Sequence, residues 1–349
     1  MKIPLDISLL QGLSFQCRPD CGLCCYATPA VTPAERQTLV RIAPATPFLP
    51  GAGGYALVAC RPQGGACHFL KDNRCRCYGA RPFPCIEYPI TVHVGSRAQA
   101  SVCLSCPGVV FDGLERATQS RGVSDPRGLE EELAHVRTEF EKAPIAGWIA
   151  NHRRRENALI RTMEREGRWE DPEHLRQRLL GAPPFPDSDD FPVTLPPSEE
   201  EGVENLPLFF EEGIGVVALA GREEGYDVLL LQESGGVRSR LGTFSPPDKR
   251  PELDGDGLRL LEGYLRLVIR RDQLIWAAYA ELRNVPEATL GELAEEIVRE
   301  AASQVLARAV VRARLKGMTG DRLTREDVVR GVRATDSDLL DLPTLGRVL

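Results

Sequence analysis

The chain has 349 residues, 42% hydrophobic and 27% charged, a balance that excludes a disordered chain and gives room for about two domains. Its net charge of -7 argues against general nucleic-acid binding, and no run of about 18 apolar residues offers a transmembrane helix. All 11 cysteines lie between Cys17 and Cys106, and an odd number cannot pair fully within one chain.

In chain order, Met1 to Gln11 holds an apolar stretch broken by Pro4 and Asp6, without the apolar core and cleavage site of a signal peptide. The expectation is a cytoplasmic protein with no membrane association. In that compartment thiols stay reduced, and dense cysteines bind metal. Thr32-Pro33-Ala34-Glu35 combines a capping threonine, a proline at the first helical position and a glutamate three residues on. It predicts a helix to about Ile42. Gly51-Ala52-Gly53-Gly54 follows Pro50 rather than a hydrophobic strand, so it reads as a loop and not as a nucleotide cradle. Tyr55 to Ala59, Pro89 to Val94 and Ala98 to Val102 read as short strands.

From Asp125 the pattern turns helical, with Leu129, Leu133, Val136 and Phe140 on one face. Arg153-Arg154-Arg155 reads as a solvated face of such a helix. Asp171-Pro172-Glu173 is another capped start. Six prolines from Pro183 to Pro197 predict an extended linker over 183–205. Ile214 to Ala220 and Tyr226 to Gln232 flank a Gly221–Gly225 turn as a hairpin. Leu258, Leu261, Leu265, Val268, Ile275 and Leu282 form the stripe of one long helix. Leu290, Leu293, Ile297, Ala301 and Val305 form that of a second, and Pro286 between them predicts a helical hairpin. A short helix over Thr324 to Val332 follows. The expected class is α+β. An irregular cysteine-rich metal-binding domain (1–110) with short strands packs on a mainly helical body. That body comprises a helical segment (111–182), the linker (183–205) and a hairpin plus helical C-terminal domain (206–349).

The cysteines fall in three groups: Cys17, Cys21, Cys24 and Cys25; Cys67, Cys75, Cys77 and Cys85; and Cys103 and Cys106. Two or three intervening residues let one backbone turn supply several soft thiolates to a metal, and Gly22 permits such a turn. Pro107 after Cys106 is a habit of iron–sulfur loops. Cys60 has no motif partner.

Cys21-Gly22-x-Cys24-Cys25, Cys67-x-Phe69-Leu70, Cys75-x-x-Tyr78, Arg81-Pro82, Cys85 and Tyr88-Pro89 together resemble the YkgJ-type CxxCxxCC family. That family is described as zinc- or iron-chelating and includes the flagellin lysine-N-methylases. The resemblance covers residues 15–89. It implies an iron–sulfur cluster of the [4Fe–4S] type and, through the methylase branch, methyl transfer from S-adenosylmethionine to a protein lysine. The chain departs from the family in separating Cys17 from Cys21 by three residues, and in placing Cys77 where an aliphatic residue is usual. Cys77 and Cys60 are therefore read as small buried hydrophobes. The candidate ligands are Cys17, Cys21, Cys24, Cys25, Cys67, Cys75, Cys85, Cys103 and Cys106. One [4Fe–4S] cluster takes about four thiolates and two take about eight, so one or two centres are open. Adjacent side chains of an extended segment point apart, so Cys24 and Cys25 are expected to serve different centres. Arg81 and Tyr88 lie beside ligands and are the candidates for contact with the cofactor.

Cys17-x3-Cys21-x2-Cys24 also matches the radical S-adenosylmethionine spacing, but the strand–helix repeats of that barrel do not follow. Zinc is the rival metal, with His68 or His93 as a further ligand. His93, alternating with Val92 and Val94, reads as a strand surface residue. No catalytic residue is identified. Three functions stand: a cluster-dependent enzyme of the lysine-N-methylase-like type acting on a protein substrate; an electron-transfer protein or oxidoreductase with a redox partner; and a zinc-binding structural or interaction protein.

Overall fold

The computed structural model describes residues 3–10, 13–18, 21–51, 55–110, 127–186, 202–203, 206–223, 225–245, 249–340 and 347–348. Most of the predicted linker 183–205, and Ala52 to Gly54 of the glycine loop, lie outside the described residues. Mixed helix and strand elements confirm the α+β class.

The capped helix starts form as predicted. Helix α1 (Pro33–Ile42) carries the full Thr32/Glu35 capping box. Helix α5 (Pro172–Gly181) is capped by Asp171. Between them come the short α2 (Phe83–Glu87), α3 (Arg127–Lys142) and α4 (Ile145–Arg165). Val136 and Phe140 are buried, as their spacing on α3 requires.

Strands Ile90–Val94 and Ala98–Val102 pair as an antiparallel hairpin. Leu5–Asp6 joins one edge in parallel, and Arg347–Val348 the other. Residues from near both chain ends thus meet in one sheet. Successive side chains alternate sides, so Ile90, Val92 and Val94 share one face and Thr91 and His93 the other. His93 is no surface residue: it is 2% exposed, with its ring centroid 6.1 Å from that of Trp276. Helices cover this sheet where the alternation suggested solvent.

The stripe read as one long helix is two, α6 (Gly255–Arg270) and α7 (Asp272–Glu281). Arg271 between them is extended, with φ -66° and ψ 127°. The break sends its guanidinium inward, to Asp336 at 2.7 and 3.0 Å, Ser101 Oγ at 3.0 Å and the Val102 carbonyl at 3.0 Å. Helix α8 (Leu290–Leu315) has a second full capping box, Thr289/Glu292. Helix α9 (Arg325–Leu340) runs past the predicted end at Val332. Its last turns hold Asp336 and Asp338, which blur the apolar period but pair with Arg271 and with Arg308 (2.6 Å).

The predicted C-terminal hairpin is the middle of a four-stranded antiparallel meander: Leu208–Glu211, Gly215–Arg222, Gly225–Leu231 and Val237–Phe244. The last strand is largely exposed and carries two arginines, so it lacked an apolar signature. One face of the meander packs Phe210, Val216, Ala218 and Leu229 on Cys21, Leu23 and Tyr26. The other packs Phe209, Val217, Leu219 and Val228 on Val311 of α8 and Ala334 of α9. The sheet therefore lies between the cysteine segment and the helices. The largest core also joins both sides of residue 110, from Leu9, Phe15, Ile90 and Val109 to α6–α9. Among the described residues, no helix is long and apolar enough to cross a membrane.

Candidate metal centre

Three short segments bring the thiols together. Gly22, at φ 63°, opens a 3-10 turn over Leu23–Tyr26 that carries Cys24 and Cys25. A small hairpin pairs Leu70–Lys71 with Arg74–Cys75, and its turn residues Asp72 and Asn73 take φ of 51° and 56°. Asx residues tolerate this left-handed backbone, which two-residue hairpin turns require. The chain then passes through Cys77 and a turn over Tyr78–Ala80 into α2, which presents Cys85. The first two segments are stitched by the Cys67 amide, which donates to the Cys25 carbonyl at 2.6 Å. The third segment is the tight turn Cys103–Cys106, closed by a 3.2 Å bond from the Cys106 amide to the Cys103 carbonyl.

The sulfurs form a row. Cys25 donates to both Cys24 and Cys75, and the Cys75 and Cys77 sulfurs are 3.5 Å apart. Cys85 and Cys67 lie close enough to act electrostatically on this row. Cys17 lies beside Cys24, Tyr78 and Arg81. On the other side, Cys21, Cys103 and Cys24 all act on Cys106, and the Tyr88 hydroxyl lies 3.9 Å from the Cys103 sulfur.

The expectation that Cys24 and Cys25 point apart is corrected. It assumed an extended strand, and the segment is a 3-10 turn that leaves the two thiols hydrogen-bonded. Their adjacency therefore gives no reason to assign them to different centres.

Electrostatics divides the thiols. Hydrogen bonds from Cys25 and Cys77 hold Cys75 well below the ordinary thiol range. Burial pushes Cys67 up to about 11 and Cys103 up to about 12, and it raises Cys85 and Cys106 further. Arg81 offsets this for Cys17, Cys24, Cys75 and Cys85, each of which its charge draws down. Its guanidinium is fixed 4.0 Å from the Tyr78 ring centroid and bonds the Tyr78 and Cys85 carbonyls, both at 3.2 Å. One cation thus serves several thiolates.

Cys77 is 4% exposed and packs with Val31, Leu39, Val58 and Phe69, as a small hydrophobe would. Its sulfur nevertheless touches Cys75. The Cys-x-Cys spacing was the available signal, because residues two apart in extended backbone face the same side. Cys60 forms a backbone bridge with Cys67, and its thiol donates to the Ala27 carbonyl at 3.3 Å. The His68 carbonyl accepts from Arg61 at 3.3 Å, and burial lowers the imidazole pKa. His93 is faced by Arg271 and Asp272.

Among the described residues, no three Cys, His, Asp or Glu side chains already converge as a metal shell. The donor chemistry is that of soft thiolates, which suits zinc or iron–sulfur sites. The 3.5 Å contact between Cys75 and Cys77 is also close to the edge of a tetrahedral zinc–thiolate site, about 3.8 Å for bonds of about 2.3 Å.

Residues 16–106 match the CxxCxxCC family model. Its description is "Putative zinc- or iron-chelating domain". The match runs beyond Tyr88-Pro89, where the recognisable sequence pattern stops, so Cys103 and Cys106 fall inside the CxxCxxCC segment. No curated protein and no solved structure matches the chain.

Proposed function

We propose that the CxxCxxCC segment holds an iron–sulfur cluster of the [4Fe–4S] type. Its ligands come from the row Cys24, Cys25, Cys75 and Cys77 and from Cys67 and Cys85 beside it. A second centre, if one is present, falls to Cys17, Cys21, Cys103 and Cys106. The observation that carries the reading is the sulfur row itself, in which thiols some fifty positions apart in sequence share hydrogen bonds. Buried thiols at this density are costly to ionise unless metal neutralises them. When bound, such a cluster supplies one-electron chemistry or a site for a co-substrate. The chain's own residues have three tasks. The thiols ligate, Arg81 balances their charge, and Tyr88 orders the Cys103 side through its hydroxyl. The resemblance to the lysine-N-methylases supports methyl transfer from S-adenosylmethionine to a protein lysine as the activity, and electron transfer to a redox partner is the alternative.

Zinc is the second reading, favoured by the 3.5 Å separation of Cys75 and Cys77. Anaerobic purification followed by iron, sulfide and zinc analysis with electron paramagnetic resonance separates the two. The expected result is a brown protein with equal iron and acid-labile sulfide, about four of each per cluster. A colourless protein with stoichiometric zinc overturns the cluster reading.

A further inference from the structure

A cleft of about 520 Å³ lies between the outer side of the cysteine segment and the C-terminal meander. Ligand sites run from roughly 300 to 1,000 Å³, so the size fits a small molecule. Its walls are stapled together. The Arg61 guanidinium reaches the Leu70 carbonyl at 2.7 Å on one side and the Glu233 carbonyl at 3.0 Å on the other. The Glu233 carboxylate accepts the Asn73 amide at 2.6 Å and the Asp72 amide at 3.1 Å. The Gly236 amide bonds the Gln63 carbonyl at 2.8 Å. The cleft is therefore built before any ligand arrives.

Its charge is lopsided. Arg61, Lys71 and Arg238 line it, and among the described residues none of the three forms an ion pair. The one carboxylate in the lining, Glu233, is already engaged by two backbone amides. Unpaired cations around a concave, partly apolar surface raise the local concentration of anions. The apolar part comes from Ile214, which is exposed, and from Leu230 beside it. Tyr26, which directly follows the Cys24–Cys25 pair, closes the end nearest the thiols.

We infer that this cleft binds a small organic anion, with a carboxylate or phosphate head on Lys71 and Arg238 and an apolar body on Ile214 and Leu230. The inference stands whether the thiols hold iron–sulfur or zinc. The same charge disfavours a lysine side chain as the occupant, so a protein-lysine substrate has to enter elsewhere.

Calorimetric titration of the full metal-loaded chain with octanoate, octyl phosphate and octylammonium tests it. The three share a tail and differ in head. Saturable one-to-one binding of either anion, weakened by salt, with little binding of octylammonium, is the expected result. The Lys71→Glu/Arg238→Glu double variant should lose at least about tenfold in that affinity. Both side chains are exposed and stand outside the thiol cluster, so metal content should be unchanged in the variant. Equal binding of octylammonium, absence of saturable binding by both anions, or an unaltered affinity in the double variant each overturns the inference.

Discussion

The thiols are unequal because their partners differ. Cys75 receives two sulfur hydrogen bonds and lies near Arg81, whereas Cys60 spends its thiol on a backbone carbonyl. Cys75→Ser should therefore weaken metal binding by more than the about 10- to 100-fold typical of losing an outer-shell partner. Cys60→Ser should leave it unchanged, and competition against a chromophoric chelator measures both. Cys77→Ser decides between its two roles: a ligand loses metal, while a packing residue loses only stability. His93 supplies a different kind of test. Burial, helped by the Arg271 charge and opposed by Asp272, lowers its pKa from an ordinary 6.5 to about 4. Between those values the unfolded chain binds the proton and the folded chain does not. The stability that neutral His93 allows is therefore full above pH 6.5 and is lost as pH falls toward 4. Neither ring nitrogen has a hydrogen-bond partner among the described residues, so phenylalanine can take its place. Urea midpoints at several pH values should fall less for His93→Phe than for the parent between pH 6.5 and 4; parallel curves would refute the assignment.

At the scale of elements, the sequence announced helices by their caps and strands by their alternation. Thr32, Asp171 and Thr289 start helices where their side chains can accept backbone amides. What the sequence hid was set by distant partners. The break at Arg271 leaves the apolar stripe intact, and only the carboxylate of Asp336 on α9 explains why a guanidinium turns inward there. The 3-10 turn that unites Cys24 and Cys25 was equally hidden, because two adjacent cysteines carry no period. Asp336 also accepts the Tyr264 hydroxyl at 3.0 Å and the Leu104 amide at 2.7 Å, inside the Cys103–Cys106 turn. The helical body thus pins the third cysteine pair. Asp336→Ala strands a buried cation and should cost about 3–5 kcal/mol in denaturant unfolding. Gly331 marks the closest approach of α9 to α8, where a Cβ would stand 2.2 Å from the Val305 carbonyl. Gly331→Ala should cost about 1–3 kcal/mol by forcing those helices apart.

For the whole molecule, two kinds of cohesion meet at the meander. Helices α6 to α9 bury a continuous set of Leu, Val and Ala side chains, joined by the sheet that brings Leu5–Asp6 and Arg347–Val348 together. The cysteine segment from Cys21 to Cys85 has only two- and three-residue strands outside that sheet, and its local core is a handful of residues around Phe69 and Leu39. Short strands around a small core gain little from burial, so metal binding becomes folding energy for that segment. The third pair, Cys103 and Cys106, belongs to the other regime, because its turn is anchored to α9 and borders the main core. Removing the metal should therefore loosen one part and spare the other. Hydrogen exchange after chelation should rise sharply over residues 21–85 and barely change over Ile90–Val94, Ala98–Val102 and α6–α9. The Cys103–Cys106 turn should stay protected with the second group. Uniform deprotection of the whole chain would show instead that the thiol centre and the helical core fold as one cooperative unit.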